Sequence, residues 1–291
     1  MAVFFFRGEA AVVVDFHTHT FPARIAQPAM HRLQSVSRIA AYSDGTDEGL
    51  LTAMTRAGVD RSVVLPVATN PQKVSSMNDA ILALPRDERL IRFGAIHPGM
   101  PDWRGELRRL SQEGVRGVKL HPVYQEVDID DPRTLRVLDC AGELGLTVVM
   151  HAGDDIGFPD AVRCTPRMTQ RALRQVGPVT LVMAHMGGWR HWDEVAALAE
   201  HANAYLDTAF SLGSFTPLAE GDYAPGETRL LSAEAFCRLV RTFGAQRVLF
   251  ATDSPWADQA QALRQFEQLP LFREEKQQIL YQNALRLLKN A

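Results

Sequence analysis

The sequence predicts an α/β protein, a single-domain (β/α)8 TIM barrel that spans residues 1–291. Short apolar runs alternate with amphipathic segments from one end of the chain to the other. Most runs are nearly continuous in Val, Ile, Leu, Met and Phe, which is typical of parallel strands buried on both faces. No composition shift or low-complexity stretch marks a second domain. Eight strand–helix units in a chain of this length therefore indicate one closed barrel.

The predicted strands are the apolar runs themselves. Each is short, and each is followed by a helical pattern or by a longer connection, as βα units require. In chain order the strands cover residues 11–16, 62–67, 90–97, 115–121, 147–151, 179–185, 204–208 and 247–253.

The predicted helices lie between these runs and after the last one. They cover residues 48–57, 74–84, 102–112, 132–144, 166–176, 189–201, 232–243, 257–268 and 274–289. Capping chemistry supports their ends. Asp131 and Thr165 each precede a proline at a helix start. A glycine follows five of the helices, where a left-handed cap is expected: Gly58, Gly114, Gly145, Gly177 and Gly244.

Two connections are longer than such units normally need. Residues 20–47 and 211–231 both leave the C-terminal end of a predicted strand. They are candidate lids or substrate-binding loops, and the alternative is a pair of disordered surface loops.

Composition limits the possible partners. The formal net charge is −3, from 31 basic and 34 acidic residues, so nothing favours nucleic acid or an anionic membrane. Three widely spaced cysteines form neither a ligand pattern nor a disulfide framework, which favours a cytoplasmic location. The apolar start, residues 1–7, lacks the basic region of a signal peptide. The expected partners are a small-molecule substrate and, as an option, a second copy of the chain in a homodimer.

The most informative motif is Asp15-Phe16-His17-Thr18-His19, which closes the first apolar run. Side chains of a strand alternate between faces, so Asp15, His17 and His19 are expected on one face. Two imidazoles at the mouth of one strand can bind one metal ion together. The alternative is two surface histidines at a strand end.

Polar residues recur at the ends of other predicted strands. His97, His121, His151, His185 and Asp253 each stand at or near the end of a run. The active site of a barrel of this kind lies at the C-terminal ends of its strands. The same choice of residue at so many strands is hard to explain by packing alone.

The chemistry of this set indicates a metal centre. His17, His19, His151 and Asp253 supply three neutral nitrogens and one carboxylate, a set that suits one divalent ion, with zinc preferred and manganese or iron as alternatives. Such an ion lowers the pKa of bound water from 15.7 towards about 7. Asp253 is then a candidate base for that water. His185 is a candidate to hold the water or to polarise a substrate oxygen.

These motifs, taken in order, resemble those of the amidohydrolase superfamily, in its metal-dependent TIM-barrel hydrolase branch, the amidohydrolase-2 family. The resemblance extends from about residue 11 to residue 288. It implies that His17, His19, His151 and Asp253 are metal ligands and that His185 is catalytic. The matching segments are 15–19, 117–122, 149–151, 184–188, 249–255 and 282–288.

The role of Lys119 stays open. Some members of this superfamily carry a carboxylated lysine on the fourth strand, where it bridges two metals. A plain lysine can instead bind a substrate carboxylate. Because the four-ligand set is complete without Lys119, we expect an unmodified lysine and a mononuclear site.

Further residues are candidates for substrate contact or for support of the ligands. His97 and His121 are expected near the site, and the alternative is a buried histidine hydrogen-bonded to its neighbours. Tyr124 and Trp256 follow strand ends, where an aromatic ring can stack on a substrate or pack the loops. Arg24 is a candidate carboxylate anchor or a solvated surface arginine.

Three functions fit this sequence. The first is a metal-dependent hydrolase that attacks the carbonyl of an amide, ester or lactone with activated water. The second is a metal-dependent, non-oxidative decarboxylase of an aromatic or unsaturated carboxylic acid, since the resembled family contains such enzymes with nearly the same ligands. The third is a non-catalytic barrel that binds a metal or a ligand.

Overall fold

The structure is a computed structural model that describes residues 12–289. Residue 11 of the first predicted strand and the apolar start, residues 1–7, lie outside the described residues. The strands are β1 (Val14–Thr18), β2 (Arg61–Val64), β3 (Leu90–Arg92), β4 (Gly94–Ala95), β5 (Gly117–Leu120), β6 (Thr147–Met150), β7 (Leu181–Met183), β8 (Ala204–Asp207) and β9 (Val248–Leu249).

The α-helices surround these strands. In chain order they are α1 (Ala23–Ser37), α2 (Asp47–Ala57), α3 (Val74–Leu82), α4 (Trp103–Gln112), α5 (Pro122–Gln125), α6 (Pro132–Glu143), α7 (Pro166–Leu173), α8 (Ala233–Phe243), α9 (Gln259–Glu267), α10 (Arg273–Gln277) and α11 (Asn283–Lys289).

The strands form a closed parallel barrel, which confirms the predicted fold. β3 and β4 are two parts of one strand, because Phe93 between them still donates its N–H to the carbonyl of Val64 at 3.0 Å. Every other neighbouring pair is parallel, from β1 to β3 and from β4 to β9. β9 returns to β1, where Phe16 N–H donates to the carbonyl of Phe250 at 2.9 Å.

The apolar residues form two main layers. One cluster fills the inside of the barrel and includes Phe16, Val149 and Leu249. The other lies between the strands and the helices, and it includes Val118, Met183 and Phe250. Successive residues of a strand alternate between the two layers, as the pleat of a strand requires. The inner layer is the one that leads to the histidines.

The C-terminal helix α11 packs at the opposite end of the barrel from the histidines. Ala284 and Leu287 of this helix belong to the inner cluster. The side chain of Asn283 donates to the carbonyls of Ala245, in the turn before β9, and of Val248, the first residue of β9. This end is therefore apolar and closed, so the chemistry is confined to the other end.

Several helix predictions need correction. Residues 20–47 contain the 15-residue helix α1, which has no side-chain N-cap and an internal Pro28, and these features hid it. The predicted helix 189–201 is a 3-10 helix over Trp192–Glu200. The last helix is interrupted by a π-helical turn, Gln278–Gln282. Gly177 does not have the positive φ found at Gly58, Gly114, Gly145 and Gly244. Gly244, with ψ of 128°, is not in the left-handed helical region either.

The two long connections contact each other over the mouth of the barrel. Ala40 N–H donates to the carbonyl of Thr216 at 3.0 Å, and Leu218 N–H donates to the carbonyl of Arg38 at 2.8 Å. Ile39 and Phe215 also pack with Trp189 in a small apolar cluster. We call residues 38–42 and 211–231 together the lid. It is an ordered element, not a pair of disordered loops.

Within residues 12–289, no helix combines the length and the apolar character that crossing a bilayer requires.

Gly117 is expected to tolerate no side chain. A Cβ atom there would lie 2.3 Å from Phe93 Cε2 and 2.4 Å from the carbonyl oxygen of Thr147. Gly117→Ala should lower the free energy of unfolding by about 1–3 kcal/mol, because a packed core must shift to accept the methyl group. Urea unfolding measures this change. Gly177→Ala is the matched control, since its Cβ would meet only Asp139 Oδ1 at 3.7 Å. Equal stability of the two variants would contradict the prediction.

Candidate metal centre

A bulge in β1 turns His17 into the barrel. Val14 and Phe16 lie in the inner cluster, so strict alternation would turn residue 17 outward. The register of β1 against β2 shifts between Asp15 and Thr18, and this irregularity restores the inward direction at His17. The expectation that Asp15, His17 and His19 share one face was therefore wrong for Asp15, which points towards the helix layer.

Asp15 holds this bulge in place. Its Oδ1 atom accepts the N–H groups of His17 at 3.2 Å and of Thr252 at 3.0 Å. Its Oδ2 atom accepts hydrogen bonds from Thr252 Oγ1 and from Gln259 Nε2. The side chain is fully buried, and burial raises its pKa to about 6 in spite of these donors. One carboxylate thus fixes the backbone beside both His17 and Asp253.

Three ligand atoms converge at the mouth of the barrel. His17 Nε2 lies 3.1 Å from His19 Nε2, and Asp253 Oδ1 lies 3.4 Å and 3.2 Å from these two atoms. Ligands about 2.0–2.1 Å from one ion in tetrahedral geometry are separated by about 3.3 Å. The three observed separations match that value. His17, His19 and Asp253 therefore have the spacing of three ligands of a single ion.

The outer nitrogens of the two imidazoles fix their tautomers. His17 Nδ1 lies 2.8 Å from Asp207 Oδ2, and His19 Nδ1 lies 2.8 Å from the carbonyl oxygen of Leu65. Both partners are acceptors, so each Nδ1 carries the proton and each Nε2 presents a lone pair inward. Burial, with Lys119 and His19 nearby, lowers the pKa of His17 well below its ordinary value. Two inward lone pairs 3.1 Å apart fit a shared cation.

His151 lies in a neighbouring group. Its Nε2 atom is 3.2 Å from the carbonyl oxygen of Asp154 and 3.8 Å from Asp155 Oδ2. A second set of potential ligand atoms thus consists of His121, His151 and Asp155. His151 Nδ1 faces inward and lies 3.1 Å from His185 Nε2. The assignment of His151 as the fourth ligand stays a prediction, with Nδ1 as the available atom.

The strand predicted over residues 179–185 does not continue to His185. Met183 packs in the outer cluster, so Met183 and His185 do not share a face of a regular strand. β7 ends at Met183, and His185 adopts a left-handed backbone conformation with φ of 59°. Its Nδ1 atom lies 3.0 Å from the carbonyl oxygen of Ala209. This contact places the proton on Nδ1 and leaves Nε2 directed at His151.

Lys119 is buried beside the candidate metal ligands. Its Nζ atom lies 3.2 Å from His17 Nε2, on the inner face of β5. Burial lowers the pKa of Lys119 to about 8, and the carboxylates of Asp207 and Asp253 oppose that shift. The residue is thus in contact with the centre, at the position expected from the sequence.

Of the other candidate residues, Tyr124 contacts the histidine groups, whereas Trp256, His97 and Arg24 belong to neither group. Tyr124 stacks on His121, with ring centroids 4.0 Å apart. Trp256 follows Asp253 and lines a cavity of about 50 Å³ between the barrel and helices α8 and α9, in which none of the histidines takes part. His97 accepts the N–H of Gly99 and belongs to neither ligand group. Arg24 is exposed on α1.

Two acidic residues at the site were missed by the sequence reasoning. Asp207 ends β8 and is fully buried, and its Oδ1 atom accepts the N–H groups of His185 and Ala209. Its position at the end of the seventh apolar run was the signal that could have identified it. Asp155 follows His151 by four residues and is also buried. No spacing rule distinguishes it from the adjacent Asp154.

The family model described as amidohydrolase, of the amidohydrolase-2 type, matches residues 14–289. The chain belongs to the amidohydrolase family. This match covers every strand of the barrel and all of the ligand candidates, and it confirms the resemblance seen in the sequence. No curated protein sequence matches the chain.

Solved structures with the same fold belong to proteins of more than one activity. An uncharacterized TIM-barrel protein from Bordetella bronchiseptica has a TM-score of 0.71 at 19% identity, covering 96% of this chain and 98% of that one. A dihydroxybenzoic acid decarboxylase from Polaromonas sp. JS666, with bound manganese and 2-nitroresorcinol, has a TM-score of 0.66 at 14% identity, and the match covers 96% of this chain and 97% of that one. A protein described as a 2-pyrone-4,6-dicarboxylic acid hydrolase from Pseudomonas putida has a TM-score of 0.63 at 18% identity, and the match covers 96% of this chain and 98% of that one.

We expect this amidohydrolase to bind one divalent ion per chain through His17, His19 and Asp253, with His151 as the fourth ligand. Elemental analysis after loading with zinc or manganese measures the stoichiometry. The double variant His17→Ala, His19→Ala removes two of the converging nitrogens and should retain almost no metal. Wild-type stoichiometry in this variant, or two ions bridged by a modified Lys119 in the wild type, would contradict the expectation.

We expect Asp207→Asn to weaken metal binding without unfolding the protein. The amide can no longer accept a charge-assisted bond from His17 Nδ1 while it also accepts the N–H groups of His185 and Ala209. Loss of such an outer partner typically costs about 10-fold to 100-fold in metal affinity. Competition against a chelator measures the affinity. Unchanged affinity would show that Asp207 does not orient His17.

Proposed function

We propose that this amidohydrolase is a metal-dependent hydrolase that attacks the carbonyl carbon of an amide, ester or lactone with activated water. The convergence of His17, His19 and Asp253 supports this proposal most directly. Three ligands on one side of a bound ion would leave its opposite side for the fourth ligand and for substrate or water. A bound divalent ion supplies Lewis-acid chemistry: it activates water at neutral pH and polarises a carbonyl oxygen.

Asp253 has one oxygen for the ion and one for a proton. Its Oδ1 atom faces His17 and His19. Within residues 12–289 no side chain donates a hydrogen bond to its Oδ2 atom. A carboxylate held in this way can take a proton from water at Oδ2 and pass it to the leaving group. Its left-handed backbone, with φ of 71°, aims the side chain across the end of β9.

His185 is the second proposed catalytic residue. With its proton on Nδ1, bound to the carbonyl of Ala209, its Nε2 atom can accept a proton or hold a water molecule on the inner side. It can also stabilise a developing negative charge once Nε2 is protonated. Asp207 steadies this residue through its backbone N–H.

Two residues are proposed to contact the substrate. Lys119 presents an amine at the floor of the site and can bind a substrate carboxylate. The ring of Tyr124 is packed between His121 and Phe158, and burial together with Asp155 and Asp253 raises the pKa of its hydroxyl. The hydroxyl therefore stays protonated and can donate a hydrogen bond to the substrate.

Decarboxylation of an aromatic or unsaturated carboxylic acid is the second candidate. Decarboxylases of dihydroxybenzoate and of 5-carboxyvanillate recur among the similar structures, and this observation favours it. In that reaction the chain would bind the carboxylate, the bond between that group and the ring carbon would break with release of carbon dioxide, and the ring carbon would take a proton. His185 can deliver this proton only after Nε2 has been protonated from solvent.

A substrate panel separates the two reactions. Protein loaded with zinc or with manganese is incubated with lactones, esters and amides, and separately with hydroxybenzoates. Release of acid without carbon dioxide supports the hydrolase, and release of carbon dioxide supports the decarboxylase. The Asp253→Asn variant is the control in both arms. If the fully loaded protein turns over no compound of either panel, the non-catalytic barrel remains as an interpretation.

We expect His185→Ala to keep its metal and lose most of its activity. The side chain is needed as a proton carrier in the transition state, whereas the ion is held by other residues. The kcat should fall by about 10²-fold to 10⁴-fold, the range of general acid–base catalysis. Metal content and steady-state kinetics are measured on the same preparation. Loss of the metal would make His185 a ligand, and retention of the full rate would make it structural.

A further inference from the structure

We infer that His121 and Asp155 form a clamp that fixes the ring of His151, so that His121 is a positioning residue of the metal centre. This inference rests on the proposed role of His151 as a ligand. The rings of His121 and His151 stack with centroids 4.0 Å apart and planes inclined by 13°. Tyr124 stacks on His121 at the same distance, with planes inclined by 15°. Because one face cannot hold both rings, His121 is packed between Tyr124 and His151.

Asp155 fixes the edges of the stacked imidazoles. Its Oδ2 atom lies 3.4 Å from His121 Nε2 and 3.8 Å from His151 Nε2. The N–H of Tyr124 donates to His121 Nδ1, so Nε2 of His121 carries the proton and faces the carboxylate. All three side chains of the clamp are less than a tenth exposed. Little water reaches these contacts, which strengthens them.

The clamp determines which nitrogen of His151 faces the centre. The carbonyl of Asp154 and the carboxylate of Asp155 are both acceptors, and they lie on the Nε2 side of the ring. The proton of neutral His151 therefore belongs on Nε2. The stack with His121 prevents the ring from tilting out of its plane, and a 180° flip within that plane would take Nε2 away from both acceptors. His151 Nδ1 is thus left as the atom that can bind the ion.

The same three side chains could instead be a second metal site, because their donor atoms lie within 4.8 Å of one another. Two observations favour the clamp. The 3.8 Å separation of His151 Nε2 from Asp155 Oδ2 is wider than the spacing of about 3.3 Å expected around one tetrahedral ion. His151 Nε2 also has a backbone acceptor at 3.2 Å, so this nitrogen carries a proton and offers no lone pair to an ion.

Cobalt binding tests the clamp in the full-length protein. Affinity is measured by competition with a chelator, and the visible spectrum of Co²⁺ reports the geometry of its ligands. The variants are His121→Phe, which keeps a stacking ring, His121→Ala, which removes it, and Asp155→Asn. Asp130→Asn is the control, since Asp130 pairs with Arg171 on the surface.

We expect His121→Ala and Asp155→Asn to weaken Co²⁺ binding by about 10-fold to 100-fold and to alter the visible spectrum. His121→Phe should lose less affinity than His121→Ala, because the stack on His151 remains. Asp130→Asn should match the wild type, and every protein should bind one ion per chain. Thermal unfolding of each variant shows whether a lower affinity results from a less stable fold. His121→Phe is the variant chosen to keep the packing.

Three results would overturn the clamp. Wild-type affinity and spectrum in His121→Ala and Asp155→Asn would show that His151 needs no such support. A wild type with two ions, of which these variants lose one, would make the group a second metal site. A wild type that binds no Co²⁺ at all would overturn the proposed function as well, whereas the first two results leave it standing.

Discussion

The candidate metal centre depends on one buried carboxylate that points away from the inside of the barrel. Asp15 accepts N–H groups from β1 and from the segment that follows β9, and these two segments carry His17 and Asp253. A regular β1 would direct His17 towards the helices, so the bulge that Asp15 stabilises is a condition for the whole ligand set. The hydrogen bonds also close the barrel at the seam between its first and last strands. Fold closure and ligand placement therefore rely on the same group.

A second constraint is that the histidines are neutral and directed. Burial lowers the pKa of His17, His121 and His151 well below the ordinary value, so each has one protonated nitrogen at neutral pH. Acceptors on the outer side hold that proton: a carboxylate for His17 and backbone carbonyls for His19 and His185. The inner nitrogens of His17 and His19 are left as lone pairs only 3.1 Å apart, an arrangement that a shared cation would stabilise.

The sequence predicted the barrel and the convergence of three of the four candidate ligands, because continuous apolar runs and polar strand ends are local signals. His17, His19 and Asp253 converge as expected. Periodicity failed where the backbone departs from a regular strand, at the bulge before His17 and at the left-handed His185. Neither departure has a sequence signature such as glycine. Asp207 and the clamp around His151 were missed because their roles depend on contacts between residues far apart in the chain.

The lid joins two segments that are far apart in the sequence, and each supplies backbone hydrogen bonds and apolar side chains to the other. Evolutionary change in the lid is therefore constrained. A substitution or insertion that displaces residues 211–231 must be matched in residues 38–42, or the two segments lose their contact. Divergence in this region should proceed by paired changes, and a graft of one segment from a relative should carry its counterpart.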